Sequence, residues 1–142
     1  MPCYISQSDT PEAVAETLDC TRKLAPKIDA YFAYSSNNYN TENLPAILAV
    51  LAKHKIPSFS QSIDLVEAGI LISVAKPNFD GVGRFYAETI ARIINGEKPG
   101  ELSQVHKESV KISFNTDTAI KIGMKPDLFK LLSDTAEKVY GK

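Results

Sequence analysis

Three short apolar runs, Ala30–Tyr34, Ile56–Ser60 and Ile70–Val74, alternate with amphipathic stretches over some 45 residues, and this alternation constrains the fold more than any other feature. Runs of five are strand length, and the stretches between them carry helical spacing. Leu44, Ile47, Leu48 and Leu51 stand at i, i+3, i+4 and i+7, so one helix face is apolar, with Pro45 in the first turn and Thr41 placed to cap it. A helical turn near Leu65–Ala68 ends at Gly69. Upstream, Tyr4-Ile5-Ser6 reads as a short strand, and Thr10 with Pro11 opens a helix whose apolar stripe is Val14, Leu18 and Ala25 and which Pro26 helps to stop. Downstream, a helix from about Asp80 to Asn95 presents Val82, Phe85, Thr89, Ile90, Ile93 and Ile94, with Gly96 as its left-handed stop. Val110–Phe114 alternates as a half-buried strand. Thr116–Ile122 is a short helix closed by Gly123, and a last helix runs from Asp127 to Val139 with Leu128, Leu131, Leu132 and Val139 on one side.

Strands separated by helices predict a three-layer, Rossmann-like α/β domain over residues 1–142: a mostly parallel sheet with helices on both faces. The three apolar runs are expected as neighbouring strands, and Leu48, Leu51, Ile90 and Ile94 as core residues.

The 142 residues carry a net charge of −1, and the Lys residues are scattered, which argues against a nucleic-acid partner. The nearest cluster, Lys53-His54-Lys55, suits a helix C-terminus. No run of about 18 apolar residues marks a membrane span, and Met1-Pro2-Cys3-Tyr4 does not read as a signal peptide. Two cysteines, Cys3 and Cys20, are too few for a disulfide framework or a zinc site. They read as ordinary small hydrophobes, with a bridge between them as the other reading.

Enzymatic motifs are missing. Gly81 and Gly83 make a lone GxG at a helix start, and the position where a dinucleotide fingerprint needs its third glycine is Tyr86. There is no P-loop and no GxSxG nucleophile elbow. A phospho-receiver domain wants paired acids after its first strand, and only Asp9 is nearby, as a helix-start residue. His54 and His106 have no carboxylate or cysteine at metal-ligand spacing and read as solvated side chains. No catalytic residue, metal ligand or cofactor is therefore expected. What the chain does offer is polar turns after strands, Ser35-Ser36-Asn37-Asn38 and Ser60-Gln61-Ser62, at the carboxyl ends where open α/β sheets bind ligands. Amides and hydroxyls there suit a small polar ligand, and a helix N-terminus behind the first turn favours an anionic group. Plain turn formation accounts for the same residues, so composition leaves both readings open.

Four stretches in fixed order carry a family resemblance. They are Ile28–Tyr34 with its polar turn; Lys55–Ser60 followed by Leu65–Gly69; Phe79–Arg84 with the helix ending Ile94-Asn95-Gly96-Glu97-Lys98-Pro99; and Ile112–Thr116 with Ala119 and Ile122-Gly123. Over Ile28–Pro126 the chain resembles the ABC transporter substrate-binding proteins of type I periplasmic-binding architecture, the group that includes tryptophan- and other aromatic-amino-acid-binding lipoproteins. The resemblance implies a non-enzymatic solute binder whose ligand, a small polar molecule such as an amino acid or similar carboxylate, is held between two lobes and handed to a membrane permease. This chain would be the second half of such a protein, working outside the cytoplasm, with its secretion signal on the N-terminal part. The site residues implied are Ser36, Asn37 and Asn38 for a carboxylate or amide group, Ser60 and Gln61 as second-turn contacts, and Phe79 as a stacking surface. Relatives often have Asp in the first polar turn and Tyr where Phe79 stands, so the ligand preference is expected to differ. The apolar face of the Asp80–Asn95 helix, lacking the other half, predicts a homodimer. The competing reading is a self-contained small α/β enzyme or signalling domain.

Overall fold

A computed structural model describes residues 10–34, 36–40, 42–74, 79–107 and 111–141, together with positions 3 and 5. The chain divides into two compact units, Met1–Ala75 with Lys111–Lys142, and Lys76–Val110.

The larger unit holds a sheet of five described strands in the order β1 (Tyr31–Ala33), β2 (Ser58–Ser60), β3 (Ile72–Ser73), β4 (Ser113–Asn115) and β5 (Lys138–Tyr140). β1, β2 and β3 run parallel as the alternation predicts, β4 is antiparallel to β3, and β5 is parallel to β4. Its helices are α1 (Pro11–Leu24), α2 (Leu44–Lys53), α3 (Ile63–Glu67), α5 (Thr116–Ile122) and α6 (Pro126–Thr135), and the smaller unit contributes α4 (Phe79–Ile94). The architecture is the mixed α/β, mostly parallel sheet expected from the sequence.

Two apolar clusters flank the sheet. Ala33, Tyr39, Leu44, Ile47, Leu51, Ile56, Val66 and Ile70 form the first. The second joins Leu71, Phe114, Ala119 and Ile122, with Phe129 of α6 meeting the Phe114 ring edge-on at 5.7 Å. Ala33 shares its register row with Ser60, Ser73 and Ser113, and Phe114 follows Ser113, so Ala33 and Phe114 stand on opposite faces.

Local chemistry sets most boundaries. The Ala13 N–H donates to Thr10 Oγ1 at 3.1 Å and caps α1, with Pro11 in the first turn. Asn115 caps α5 by accepting the Thr118 N–H at 2.9 Å, and Gly123 closes it at φ 72°. At Gly69, φ is 122°, and a Cβ there would fall 2.5 Å from Leu48 Cδ1; glycine lets the end of α3 approach α2.

Three expectations are corrected. The inner face of α1 is Ala13, Thr17, Cys20 and Thr21. Both threonines donate their hydroxyl to the carbonyl one turn back, at 2.7 and 2.8 Å, which offsets the cost of burying them; of the expected stripe, Ala25 is buried and Leu18 packs half-buried against the first cluster, while Val14 is only half-buried. The last helix stops at Thr135, and Lys138–Tyr140 pairs with β4 as an edge strand, so Val139 belongs to a strand. In α4, Ile90 is 56% and Ile94 78% exposed, so neither is a core residue; Leu51 is buried and Leu48 half-buried. The expected cap Thr41, the strand residues Tyr4 and Ser6, and Val110 lie outside the described residues.

Candidate functional site

Because β1 and β2 are parallel neighbours in register, the turns that follow them leave the same end of the sheet side by side. The first turn is built from its own polar side chains. The Asn38 N–H donates to Ser36 Oγ at 3.1 Å, and the Tyr39 N–H to the Ser36 carbonyl at 3.2 Å. Asn43 Nδ2 donates to the Asn38 carbonyl and, at 3.3 Å, to the Val14 carbonyl of α1. Asn40 and Asn43 grip each other. The Asn40 N–H donates to Asn43 Oδ1 at 3.1 Å, and the Asn43 N–H to Asn40 Oδ1 at 3.1 Å, with the Glu42 N–H joining at 2.9 Å. Asn40 therefore occupies N–H groups at the start of α2, where the sequence suggested room for an anion.

Below this turn lies an aromatic support. Tyr31 and Tyr39 share a hydroxyl–hydroxyl hydrogen bond at 3.1 Å, and Thr21 Oγ1 shares another with the Tyr31 hydroxyl at 3.1 Å. Tyr34 and Tyr39 meet edge-on at 5.7 Å, and Asn38 Nδ2 donates to the Tyr34 hydroxyl at 3.5 Å. Burial, followed by the hydrogen bond from Tyr31, pushes the Tyr39 phenol well above its ordinary range, so it stays protonated.

The second turn is simpler: the Ser62 N–H donates to the buried Ser60 Oγ at 3.0 Å. Ser36, Asn38 and Ser60 are thus engaged in holding turns, and Asn38 and Ser60 are buried. Asn37 and Gln61 are exposed, and their side-chain amides make no hydrogen bond with other described residues. Asn37 lines a shallow cleft of about 350 Å³ with Thr10, Pro11, Val14, Asn40 and Glu42. Phe79 is the first residue of α4, in the other unit.

Sequence reading did not single out Tyr34, Tyr39, Asn40, Glu42 or Asn43. The reciprocal Asn40/Asn43 spacing of three was the available signal, since it is the geometry by which a helix start holds its own backbone. Two other clefts lie elsewhere. One of about 490 Å³ lies between α2, the end of α3 and α5, lined by Leu48, Ala52, Gly69, Asn115 and Thr118 among others. The other, about 590 Å³, is lined by Asp80, Arg84, Glu88 and His106 in the smaller unit, where the His106 ring packs at 5.3 Å from Phe85. Among the described residues no group of three His, Cys, Asp or Glu side chains is placed to hold a metal ion.

The family model for the ABC transporter substrate binding protein matches residues 11–137, which is nearly the whole chain and includes both turns. The chain belongs to the ABC transporter substrate-binding protein family. Solved structures agree on the fold. A substrate-binding protein with adhesive properties from Clostridium difficile, in its ligand-free open form, superposes with a TM-score of 0.64 at 23% identity, over 91% of this chain and 42% of that one. An ABC domain from Streptococcus pneumonia in complex with L-Trp gives 0.58 at 21% identity, over 89% and 42%. A conserved domain protein from Vibrio cholerae gives 0.59 at 21%, over 89% and 41%. The chain thus spans about two fifths of the length of the solved substrate-binding proteins it resembles. No curated protein matches it. Members of this family bind solutes and are typically neither enzymes nor cytoplasmic, and no described helix of this substrate-binding protein is long and apolar enough to cross a membrane.

Proposed function

We propose that the chain is the C-terminal portion of a two-lobed solute-binding protein that takes a small polar molecule, an amino acid or similar carboxylate, and presents it to an ABC permease outside the cytoplasm. The observation that carries this reading is the pair of adjacent polar turns at the carboxyl ends of β1 and β2, in which Asn37 and Gln61 keep uncommitted amides while their neighbours hold the backbone still. A rigid turn with a free amide loses little entropy on binding, which is what a passive binding site needs. An amide also donates to a carboxylate or accepts from an ammonium without imposing charge. Ser36, Asn38 and Ser60 act as supports that aim Asn37 and Gln61. Closure of two lobes around the solute is the signal the permease reads, and no chemical step is required of any residue.

Calorimetry on the whole protein tests the reading. Asn37→Ala and Gln61→Ala each weaken solute binding by about tenfold, the loss of one hydrogen bond of roughly 1.5 kcal/mol. Unchanged affinity in both variants would remove these turns from the site. The isolated chain, supplying one wall of the cleft, binds the same solute weakly or not at all. In the whole protein the other half covers the apolar side of α4; the chain alone buries Tyr86, Ile90, Ile93 and Ile94, all exposed here, against a second copy.

A further inference from the structure

We propose that the open edge of β1 is a docking surface, filled in the whole protein by an apolar strand of its N-terminal part, so that the sheet runs on past β1. This rests on the reading of the chain as one portion of a longer protein. β1 is the outermost described strand on its side of the sheet, yet its residues are not those of an outer strand. Proteins blunt exposed edges with charged side chains, prolines or bulges. Tyr31-Phe32-Ala33 has none of these: it lies in the apolar run Ala30–Tyr34, and its register with Ser58, Phe59 and Ser60 is unbroken. The strand at the opposite side, β5, opens with the exposed Lys138.

Backbone and side chains point the same way. The Tyr31 N–H donates to the Pro57 carbonyl at 2.9 Å. Alternate residues of a parallel ladder turn to the same neighbour, so Phe32 directs its N–H and C=O away from β2, and among the described residues nothing takes them up. The Phe32 ring stacks on Phe59 at 5.3 Å and is still 51% exposed. Phe32, Phe59, Ile72 and Phe114 share one register row on one face. Phe129 covers the Phe114 end, and the Phe32 end is bare. Parallel strands are normally buried on both faces. Apolar cover over Phe32 also takes its backbone groups out of water, and they then need partners; an added strand supplies both. A second copy related by a two-fold axis would set β1 antiparallel to itself, whereas a further strand of the same protein continues the parallel run β1, β2, β3. The solved substrate-binding proteins leave ample chain for it, since this one covers 42% of their length.

Amide hydrogen exchange, read residue by residue by NMR on the whole protein and on the isolated chain, tests this without any solute, so failure of solute binding leaves the result intact. The Tyr31 amide, bonded to β2, is expected to exchange slowly in both and reports that β1 is folded. The Phe32 amide exchanges freely in the isolated chain and at least about a hundredfold more slowly in the whole protein. Urea unfolding of two variants separates an added strand from mere cover. Proline is tolerated where a strand's N–H faces solvent and not where it is bonded. Phe32→Pro and Phe32→Ala therefore unfold together in the isolated chain, while in the whole protein Phe32→Pro unfolds at clearly lower urea. A Phe32 amide that exchanges as freely in the whole protein as in the chain, or two variants that unfold together in the whole protein, would overturn the proposal. Protection of Phe32 in the isolated chain that grows with concentration would overturn it too, by giving the edge to a second copy.

Discussion

Asn43 reaches three backbone groups at once: the Asn40 N–H and the carbonyls of Asn38 and Val14. Removing it takes that partner from all three groups, so Asn43→Ala is expected to cost about 1–3 kcal/mol of stability. Asn37→Ala, on the exposed tip of the same turn, stays within about 0.5 kcal/mol. Urea titrations of the two variants separate support from contact, and equal losses would show that the tip is structural too. Tyr39 gives a pH signature. Its phenol is raised in the folded state, while the unfolded side chain ionises near pH ~10. Below that pH both states are protonated, and the contribution is fully present. Above it the unfolded chain releases a proton that the folded chain keeps, so stability is lost as pH rises. Tyr39→Phe costs about 0.5–1.5 kcal/mol at neutral pH through the lost bond to Tyr31 and flattens the alkaline decline. An alkaline denaturation curve unchanged by the substitution would contradict this. The sequence showed these turns as polar but not which side chains hold and which are free. Asn37 and Asn38 are chemically identical neighbours, and only the reach of Asn43 to the Asn38 carbonyl and the contact of Asn38 with Tyr34 separate their roles.

Among the elements, those legible in the sequence are the ones whose ends are written locally. Thr10 with Pro11, and Asn115 with Gly123, bound α1 and α5 where expected because a cap needs only residues three or four positions away. β5 was not legible, because nothing inside Lys138–Tyr140 distinguishes a helix tail from an edge strand. Its register with Ser113–Asn115 across the fold decides it. The inner stripe of α1 was hidden because Thr17 and Thr21 look polar until their hydroxyls are bonded to their own helix. Of the expected stripe in α6, Leu132 packs on the second cluster, but Leu128 and Leu131 are exposed and Phe129, which was not expected there, packs beside Leu132. Phe129→Ala should therefore cost more than about 1 kcal/mol, and Leu131→Ala less than about 0.5 kcal/mol. Thermal unfolding of both variants checks it, and the reverse order would mean that α6 turns its other face inward.

At the scale of the whole molecule, α4 carries Tyr86, Ile90, Ile93 and Ile94 exposed along one helix. Burying each recovers roughly 1.5–3 kcal/mol, comparable in sum with the 5–15 kcal/mol by which a domain is stable. The isolated chain is expected to sediment above its monomer mass of 15.6 kDa as concentration rises. The double variant Ile90→Asp/Ile94→Asp should return it to monomer with little loss of stability. A monomer mass at every concentration would refute self-association.

The central claim is that this fold holds a small polar solute at the two turns following β1 and β2. Native mass spectrometry of the whole protein, purified without added ligand, tests it most directly. The account predicts a small molecule retained by the folded protein and lost when Asn37 and Gln61 are both changed to Ala. A protein that carries no small molecule, and takes none up from a panel of amino acids and related carboxylates, would contradict it.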